Sequence, residues 1–378
     1  MAQDTELPEP DRIEGAPHPR ETRQVFGHAG AEAEFLSAFT SGRLHHGWLI
    51  TGPRGVGKAT LAWKMARFLL ATPMDSNGGL FGAPPPPQSL EVDADHPVAH
   101  RLRQLAEPRL YLVRRGANDK ETALSSVIRV DEMRGLKNFL NLSAVDGGRR
   151  AVIIDSADEM NPNAANAVLK ILEEPPANVT FFLISHQPFR LLPTIRSRCR
   201  ELRLAALPPA DLAAALTQAG GEADPDEATA LAELAGGSVG EASRLTHLDG
   251  LALYAQITAL LGDLPRLNRA RALALAETAA GKGAEDRFDL LVTLLDLFLA
   301  RLSRAAALRQ LPPEAAAGEA ALITRLAESP RAAQVWADLA QGLSQRARRG
   351  KAVNLDPAAL LMDMVLKLEE TAAALVHR

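Results

Sequence analysis

Short apolar runs, each followed by a segment of helical periodicity, limit the folds open to this chain of 378 residues. Three of them are Trp48–Thr51, Ala151–Asp155 and Thr180–Ser185, and Leu110–Val113 has the same character. Continuous apolar runs of this length are typical of strands that are buried on both faces of a parallel sheet. The alternation of strands and helices over 25–204 therefore predicts an α/β domain, a parallel sheet with crossover helices.

Two segments outside these runs predict irregular structure. Residues 1–24 are polar and contain several prolines, so we expect a flexible N-terminal tail. Residues 72–100 contain Gly78-Gly79 and the run Pro84–Pro87, a composition that no regular element tolerates. This second segment predicts an exposed proline-rich insertion within the α/β domain.

From residue 208 onward the sequence is rich in alanine and leucine at helical spacing and contains no convincing strand. We therefore expect a small helical domain at 205–265 and an all-α domain at 268–378. Pro312-Pro313 and Gly350 are expected to divide the all-α domain into several helices.

The overall charge and the single cysteine exclude several classes of protein. With 42 Lys and Arg against 46 Asp and Glu, the formal charge is −4, which argues against a basic nucleic-acid coat. One cysteine, Cys199, forms neither an internal disulfide nor a cysteine-rich zinc site and is typical of a reducing compartment. The N-terminus is unlike a signal peptide, and the most apolar stretch, Leu290–Ala300, is interrupted by Asp296. We expect a soluble, cytoplasmic protein without a membrane partner.

A glycine-rich segment, GPRGVGK, connects the first predicted strand to a helix predicted over Lys58–Leu70. Glycines in such a loop let successive backbone N–H groups converge on phosphate oxygens, and the helix N-terminus and the lysine add positive potential. The strand ending at Asp155 supplies the carboxylate on the metal side of such a site. The alternatives are an ordinary glycine-rich turn and, for Asp155, an acid that caps the following turn. The candidate nucleotide-binding residues at this point are Gly52, Pro53, Arg54, Gly55, Val56, Gly57, Lys58, Ala59, Thr60 and Asp155.

Two positions depart from the pattern that nucleotide hydrolysis requires. The residue after the loop lysine normally carries a hydroxyl that holds Mg²⁺, but here it is Ala59, and Thr60 is one position too late on the helix to point the same way. The residue after the strand-end acid is commonly a glutamate that orients the attacking water, but here it is Ser156.

Three further segments resemble the bacterial clamp-loader branch of the AAA+ ATPases: Val25–His28, Asn163–Pro176 with the sequence NAANAVLKILEEPP, and Ile195–Cys199. The resemblance covers about 25–250. It implies that the three predicted parts are an AAA+ P-loop domain, a small helical lid and a helical collar that oligomerises. It also places Ser185 at the sensor position, where a hydroxyl contacts bound phosphate and completes the candidate nucleotide-binding residues. The alternative for Ser185 is a simple strand-end hydroxyl.

Within that family, the departures favour the delta-prime type over the ATP-hydrolysing gamma/tau type. Gamma/tau subunits have a threonine after the loop lysine, an Asp-Glu pair at the strand end, and four zinc-binding cysteines between these motifs. This chain has none of these features, so we expect no zinc and interpret His96 and His100 as surface histidines. The lid motif Gly-Ser-x-Arg is also incomplete, because Gly240 stands at the arginine position and Arg244 is one helical turn later. We therefore expect bound ATP or ADP, weakly held Mg²⁺, and slow or absent hydrolysis.

The Ser-Arg-Cys triplet retains its arginine, Arg198. In the family this arginine reaches the nucleotide of the neighbouring subunit, so Arg198 is the candidate catalytic residue, an arginine finger that acts in trans. The alternative is that Arg198 pairs with an acid of its own domain. Cys199 is interpreted as a small buried apolar residue.

The resemblance implies gamma/tau and delta subunits as partners, and a sliding clamp and primed DNA as contacts of the assembled complex. The favoured hypothesis is a delta-prime-like subunit of the DNA polymerase III clamp loader, which acts in DNA replication. Two rival hypotheses stay open, a gamma-type ATPase that is active on its own and a stand-alone DNA-binding AAA+ protein.

Overall fold

The computed structural model describes residues 9–12, 16–74, 85–118, 122–141, 148–222, 224–281, 283–329 and 331–376. By its internal contacts the chain separates into two compact units. The first is Met1–Gly221 with Ser238–Gly240, and the second is Glu222–Gly237 with Glu241–Arg378. The boundary between the units falls inside the predicted lid at 205–265, and the division into three parts stays a prediction.

The first unit contains a five-stranded sheet in the order β2-β3-β4-β1-β5, in which all neighbouring strands are parallel. The strands are β1 Gly47–Thr51, β2 Leu110–Val113, β3 Arg150–Ile154, β4 Val179–Ser185 and β5 Arg200–Arg203. The predicted parallel α/β fold is confirmed. Strand β5 was not predicted, because it lies at the sheet edge and only one of its four residues, Leu202, is buried.

Among the described residues of this unit, seven α-helices connect and cover these strands. They are α1 Ala29–Thr40, α2 Lys58–Ala71, α3 Pro97–Arg103, α4 Val130–Asn141, α5 Pro162–Glu173, α6 Pro193–Arg196 and α7 Pro209–Gln218. Successive strand residues point to opposite faces, so that Trp48 and Ile50 belong to one buried apolar cluster and Leu49 to the other. Burial of a large apolar side chain contributes about 1.5–3 kcal/mol, so a sheet covered on both faces is strongly stabilised.

The prediction of a flexible tail is wrong for residues 9–12 and 16–24. His18 is fully buried, lies edge-on to the indole of Trp63 in α2 and contacts Asp11, with 3.0 Å between Nε2 and Oδ2. The carboxylate of Asp11 also binds Arg114 Nη1 at 2.6 Å. Polar contacts of this kind hold the segment against the rest of the first unit, although its proline content predicted a flexible tail. Residues 1–8 and 13–15 lie outside the described residues.

The prediction of an irregular insertion at 72–100 holds only in part. Helix α3 begins at Pro97, and Leu90 is buried in the same apolar cluster as α2. Residues 75–84, which include Gly78-Gly79 and the first proline of the run, lie outside the described residues.

The second unit consists of helices. They are α8 Ala228–Ala235, α9 Val239–His247, whose first two residues belong to the first unit, α10 Gly250–Leu261, α11 Arg269–Glu277, α12 Glu285–Leu308, α13 Glu319–Leu326, α14 Ala332–Ala352 and α15 Pro357–Val376. As predicted, the described residues after β5 contain no strand. None of the described helices is long and apolar enough to cross a bilayer.

Gly350 does not divide the second unit, contrary to the prediction. Helix α14 continues through it to Ala352. A Cβ atom at this position would lie 2.5 Å from Leu360 Cδ2 at the start of α15, so the missing side chain allows the two helices to approach closely. Pro312-Pro313 does separate helices, since α12 ends at Leu308 and α13 begins at Glu319.

A buried charge network joins four elements of the second unit. The carboxylate of Glu319, 1% exposed, accepts hydrogen bonds from Arg301 Nε at 2.8 Å, from Tyr254 Oη at 2.6 Å and from the backbone N–H of Ala315 at 2.7 Å. Arg301 also binds Glu233 in α8 at 2.8 Å. Because each buried charge has several partners, the network satisfies the requirement that makes buried ion pairs tolerable.

Candidate functional site

The residues predicted to bind nucleotide meet at the carboxyl edge of the sheet. Thr51, the last residue of β1, lies opposite Ser185, the last residue of β4. Strand β3 is the other neighbour of β4, and Asp155 directly follows it. Helix α2 begins at Lys58, so the glycine-rich loop is the connection that a phosphate-binding site requires.

The loop has glycine at three positions of positive φ, and at two of them a side chain would also overlap its surroundings. Gly52 has φ 144°, and a Cβ atom there would overlap the carbonyl oxygen of Leu204. Gly55 has φ 73°, and a Cβ atom there would overlap the hydroxyl of Ser238, whose neighbour Val239 donates its backbone N–H to Gly55 O at 2.9 Å. Bare backbone in left-handed conformations before a helix is the arrangement that receives phosphate, so the loop fits a nucleotide.

Gly52→Ala is expected to lower the free energy of unfolding by about 2 kcal/mol or more, because the new methyl group meets a rigid carbonyl. Urea unfolding measures the change. Gly42→Ala is the matched control, since Gly42 also has positive φ but nothing lies within 4 Å of the point where its new methyl group would stand. Equal losses for the two variants would show that backbone conformation alone, and not the contact with Leu204, requires glycine at position 52.

Lys58 is buried within the loop. The residue is only 3% exposed. Its Nζ donates hydrogen bonds to the carbonyl oxygen of Gly52, at 2.8 Å, and to that of Pro53. Desolvation lowers the pKa of Lys58 to about 8, against the opposing attraction of Asp155 and Asp158. The ammonium group therefore lies where a phosphate would compensate its desolvation better than two carbonyl dipoles do.

Asp155 occupies the acidic side of the site. Desolvation, followed by the nearby charge of Asp11, raises the pKa of its carboxyl group to about 7. Ser156 Oγ donates to Asp155 Oδ1 at 3.0 Å. The alternative that Asp155 caps the next turn does not match the geometry, since the residue before the short helix Ala157–Glu159 is Ser156, which makes no capping bond through its side chain.

The other loop residues have distinct surroundings. Arg54 is exposed and pairs with Glu159 at 3.4 Å, whereas Val56 is buried and its carbonyl oxygen lies 2.7 Å from His28 Nε2. Ala59 packs against the apolar cluster and brings no hydroxyl to the site, and Thr60 is half-buried in the first turn of α2. The loop thus keeps its phosphate-binding backbone but lacks the side chain that would hold Mg²⁺.

Strand β4 ends at Ser185, and His186 follows it, next to the end of β3 that Asp155 follows. Ser185 Oγ is buried and has no hydrogen-bond partner among the described residues. His186 Nε2 lies 2.9 Å from Ser156 Oγ, and its backbone N–H donates to Asp158 at 3.0 Å. Sequence reasoning missed His186, although its position directly after the sensor serine was a usable signal.

Arg198 lies at the opposite edge of the sheet. A Cβ atom on Gly47, the first residue of β1, would be 3.3 Å from Arg198 O, while the loop follows the last residue of β1. A strand of five residues spans about 15 Å, so Arg198 is remote from its own loop. The guanidinium is bound within the chain, 3.0 Å from Glu173 Oε1 and 3.0 Å from Thr194 O, which is the contact that the alternative interpretation required.

The remaining candidate side chains do not form a second site. Cys199 is half-buried, and burial raises the pKa of its thiol to about 12, so it is unreactive, in agreement with its interpretation as an apolar residue. His96 caps helix α3 by accepting from Val98 N at 3.2 Å. His100 is half-exposed, with 3.8 Å between its Nε2 and Asp95.

The matches to known proteins agree with the geometry of the first unit. Residues 27–208 match the family model described as DNA polymerase III, delta subunit. Subunit delta' of DNA polymerase III from Pseudomonas aeruginosa is 37% identical over 204 residues, which cover 53% of this chain and 55% of that protein. Residues 27–208 are thus similar in sequence to subunits of DNA polymerase III.

Two matches that cover more of the chain have lower sequence identity. Subunit tau from Salmonella typhimurium is 27% identical over 334 residues, 83% of this chain and 48% of that protein. The crystal structure of a gamma subunit-related protein from Thermotoga maritima is 20% identical and matches with a TM-score of 0.38, over 90% of this chain and 99% of that one. The chain thus spans about half the length of the curated relatives that it matches.

Proposed function

We propose that this chain is a delta-prime-type subunit of the DNA polymerase III clamp loader with two separate roles. Its glycine-rich loop binds ATP or ADP and turns it over slowly at most, and Arg198 serves the ATP site of a neighbouring subunit. The observation that carries the proposal is that Arg198 and the loop lie at opposite edges of one sheet. An arginine so far from the nucleotide site of its own chain can contact a bound nucleotide only at the site of another subunit.

The weak ion pair of Arg198 is compatible with this role. The side chains of Arg198 and Glu173 are 36% and 44% exposed, and an ion pair at this exposure contributes about 0–1 kcal/mol. A nucleotide phosphate carries more charge and accepts two parallel hydrogen bonds from a guanidinium. Contact with a neighbour's nucleotide would therefore displace Glu173 at little cost.

The side chains missing from the loop support slow turnover. Ala59 offers no hydroxyl to Mg²⁺, and Ser156 stands where a water-orienting carboxylate would be. Phosphoryl transfer depends on metal, water positioning and charge stabilisation more than on ground-state binding. Lys58 and Asp155 nevertheless remain as the binding groups, so nucleotide and weakly held Mg²⁺ are proposed ligands of this site.

The proposed partners are the gamma/tau and delta subunits, with the sliding clamp and primed DNA as contacts of the assembled complex in the cytoplasm. Reconstitution with these partners is the test. The complex that contains this chain is expected to load clamps and hydrolyse ATP, while the isolated chain is expected to show no multiple-turnover, DNA-stimulated hydrolysis. Rapid hydrolysis by the isolated chain would favour the gamma-type alternative, and failure to assemble would favour the stand-alone DNA-binding alternative.

Lys58→Met is expected to abolish nucleotide binding and at the same time to raise the free energy of unfolding by about 1–3 kcal/mol. The gain follows from removal of a desolvated ammonium group whose pKa is lowered to about 8. Isothermal titration with ADP and urea unfolding at pH 7 measure the two effects. Lys137→Met, an exposed position in α4, is the control and should change neither. If Lys58→Met instead lowers the free energy of unfolding, the proposal that Lys58 serves nucleotide binding at the expense of stability is contradicted.

A further inference from the structure

The guanidinium of Arg198 is held at the end of helix α5 by an acid. Nη2 of Arg198 lies 3.0 Å from Oε1 of Glu173, which is the last residue of the helix. Nη1 donates a hydrogen bond to the carbonyl oxygen of Thr194 at 3.0 Å. In the part of the chain that the structure describes, Glu173 is the only acid that forms an ion pair with Arg198. The orientation of the guanidinium therefore depends on one carboxylate from another element.

The backbone at Arg198 is fixed without Glu173. The N–H of Arg198 donates to the carbonyl oxygen of Ile195 at 3.1 Å, and Ile195 is buried in the same apolar cluster as Leu172 of α5. Glu173 itself is exposed and belongs to neither contact. A change at Glu173 is therefore expected to alter the surroundings of the guanidinium and to leave the fold around it intact.

A bound phosphate and Glu173 compete for the same part of the guanidinium. A guanidinium forms two parallel hydrogen bonds to a phosphate either through Nη1 and Nη2 or through Nε and Nη2. Both arrangements include Nη2, the nitrogen that faces Glu173. A phosphate on either edge would come next to the Glu173 carboxylate, and like charges at this separation repel each other. Arg198 thus cannot hold both anions at full strength.

The competition moderates the action of Arg198 and does not abolish it. Removing the exposed partner of an ion pair changes an equilibrium by about fivefold at most, whereas an arginine finger contributes about 10³-fold to hydrolysis. The terminal phosphate of a triphosphate also carries more charge than a carboxylate. A neighbour's nucleotide therefore displaces Glu173, and the displacement lowers the rate only by a small factor.

We propose that Glu173 is a positioning residue that holds Arg198 back. It competes with the neighbouring subunit's nucleotide for the guanidinium and so lowers the rate of ATP hydrolysis at that site. The inference rests on the proposed role of Arg198 and adds the regulation of that role. In the isolated chain the guanidinium stays with Glu173, and in the assembled complex the terminal phosphate of the neighbour's nucleotide takes the place of the carboxylate.

Glu173→Gln tests the competition, because glutamine keeps the shape of the side chain and removes its charge. In the reconstituted complex, we expect kcat/KM for ATP to rise by about two- to fivefold in the part of the rate that depends on Arg198. That part is the difference from the complex that contains Arg198→Ala. The ratio kcat/KM is the appropriate measure, because it includes the cost of leaving Glu173 at whichever step the guanidinium moves.

Three further variants separate this role from a structural one. Glu174→Gln removes the next acid along the chain, which is exposed and has no ion pair among the described residues, and should leave kcat/KM unchanged. Glu173→Asp keeps the charge, so its rise should be smaller than that of Glu173→Gln. In the Arg198→Ala background, Glu173→Gln should change nothing, because Glu173 acts only through Arg198.

Guanidinium NMR signals of the isolated chain report the ion pair without a nucleotide or a partner. We expect rotation of the Arg198 guanidinium to be slow in the unchanged protein and faster in Glu173→Gln. Equal rotation rates in the two proteins would show that Glu173 does not hold the guanidinium in solution, and the proposal would be overturned.

The outcomes separate this inference from the proposed function. If Arg198→Ala reduces hydrolysis but Glu173→Gln leaves it unchanged or lowers it, the competition is overturned and the role of Arg198 stands. If Arg198→Ala itself leaves hydrolysis unchanged, the proposed role of Arg198 is refuted and this inference with it, while the proposed nucleotide binding by the loop is unaffected.

Discussion

Arg198→Ala is expected to assemble normally and to reduce ATP hydrolysis at the neighbouring subunit's site by about 10³-fold, the usual contribution of an arginine finger. The physical reason is that a guanidinium meets developing charge on the transferring phosphoryl group, which no water molecule at that position replaces. The total rate of ATP hydrolysis by the complex should fall to the rate contributed by those ATP sites that Arg198 does not contact. Steady-state hydrolysis and clamp loading by the reconstituted complex measure both effects.

Two control variants sharpen this test. Arg196→Ala removes an exposed arginine two residues earlier, at the end of helix α6, and should leave the rate unchanged. Arg198→Lys keeps the positive charge but not the planar, two-pronged donor, so most of the loss should persist. An unchanged rate for Arg198→Ala would refute the finger and leave the pair with Glu173 as the full role of this arginine.

Glu319→Ala is expected to lower the free energy of unfolding by about 3–5 kcal/mol, the effect of removing one partner from a buried ion pair. The substitution leaves Arg301, 7% exposed, with a buried charge, and deprives the hydroxyl of Tyr254 and the N–H of Ala315 of their acceptor. Urea unfolding followed by circular dichroism measures the loss.

Glu314→Ala is the matched control for this loss. Its carboxylate accepts a single exposed hydrogen bond, from Ala320 N at 2.9 Å, so its removal should cost less than about 1 kcal/mol. Glu319→Gln keeps the shape of the side chain and removes the charge, and we expect an intermediate loss. A loss for Glu319→Ala no larger than for Glu314→Ala would show that the network contributes no stability beyond that of an exposed contact.

The fold of the first unit was predictable wherever structure is determined by neighbours in sequence. Strand β2 was predicted with its observed bounds, and the predicted helix at Lys58–Leu70 was one residue short of α2. Both elements carry strong local patterns, either a continuous apolar run or a helical period after a glycine-rich loop. Strand β5 lacks such a pattern, because it is stabilised by pairing with β1 and not by its own apolar residues.

Contacts distant in sequence explain the remaining differences. Gly350 looked like a helix end because glycine disfavours helices, but its small size is required by Leu360 of the next helix. His186 is an ordinary residue in the sequence and becomes part of the candidate site only because β3 and β4 are neighbours. Local sequence propensity contains no information on contacts between residues distant in sequence, so these contacts are seen only in the structure.

The packed N-terminal segment changes where the folded domain begins. The recognisable motifs start at Val25, yet His18 covers the edge of Trp63, and Arg114 is bound by the carboxylates of Glu9 and Asp11. A shortened protein that begins at the first motif would keep every residue assigned to nucleotide binding while uncovering an indole in the helix that follows the loop. For recombinant expression, the N-terminal limit of this domain is therefore set by the packed segment that contains Asp11 and His18, and not by the first motif.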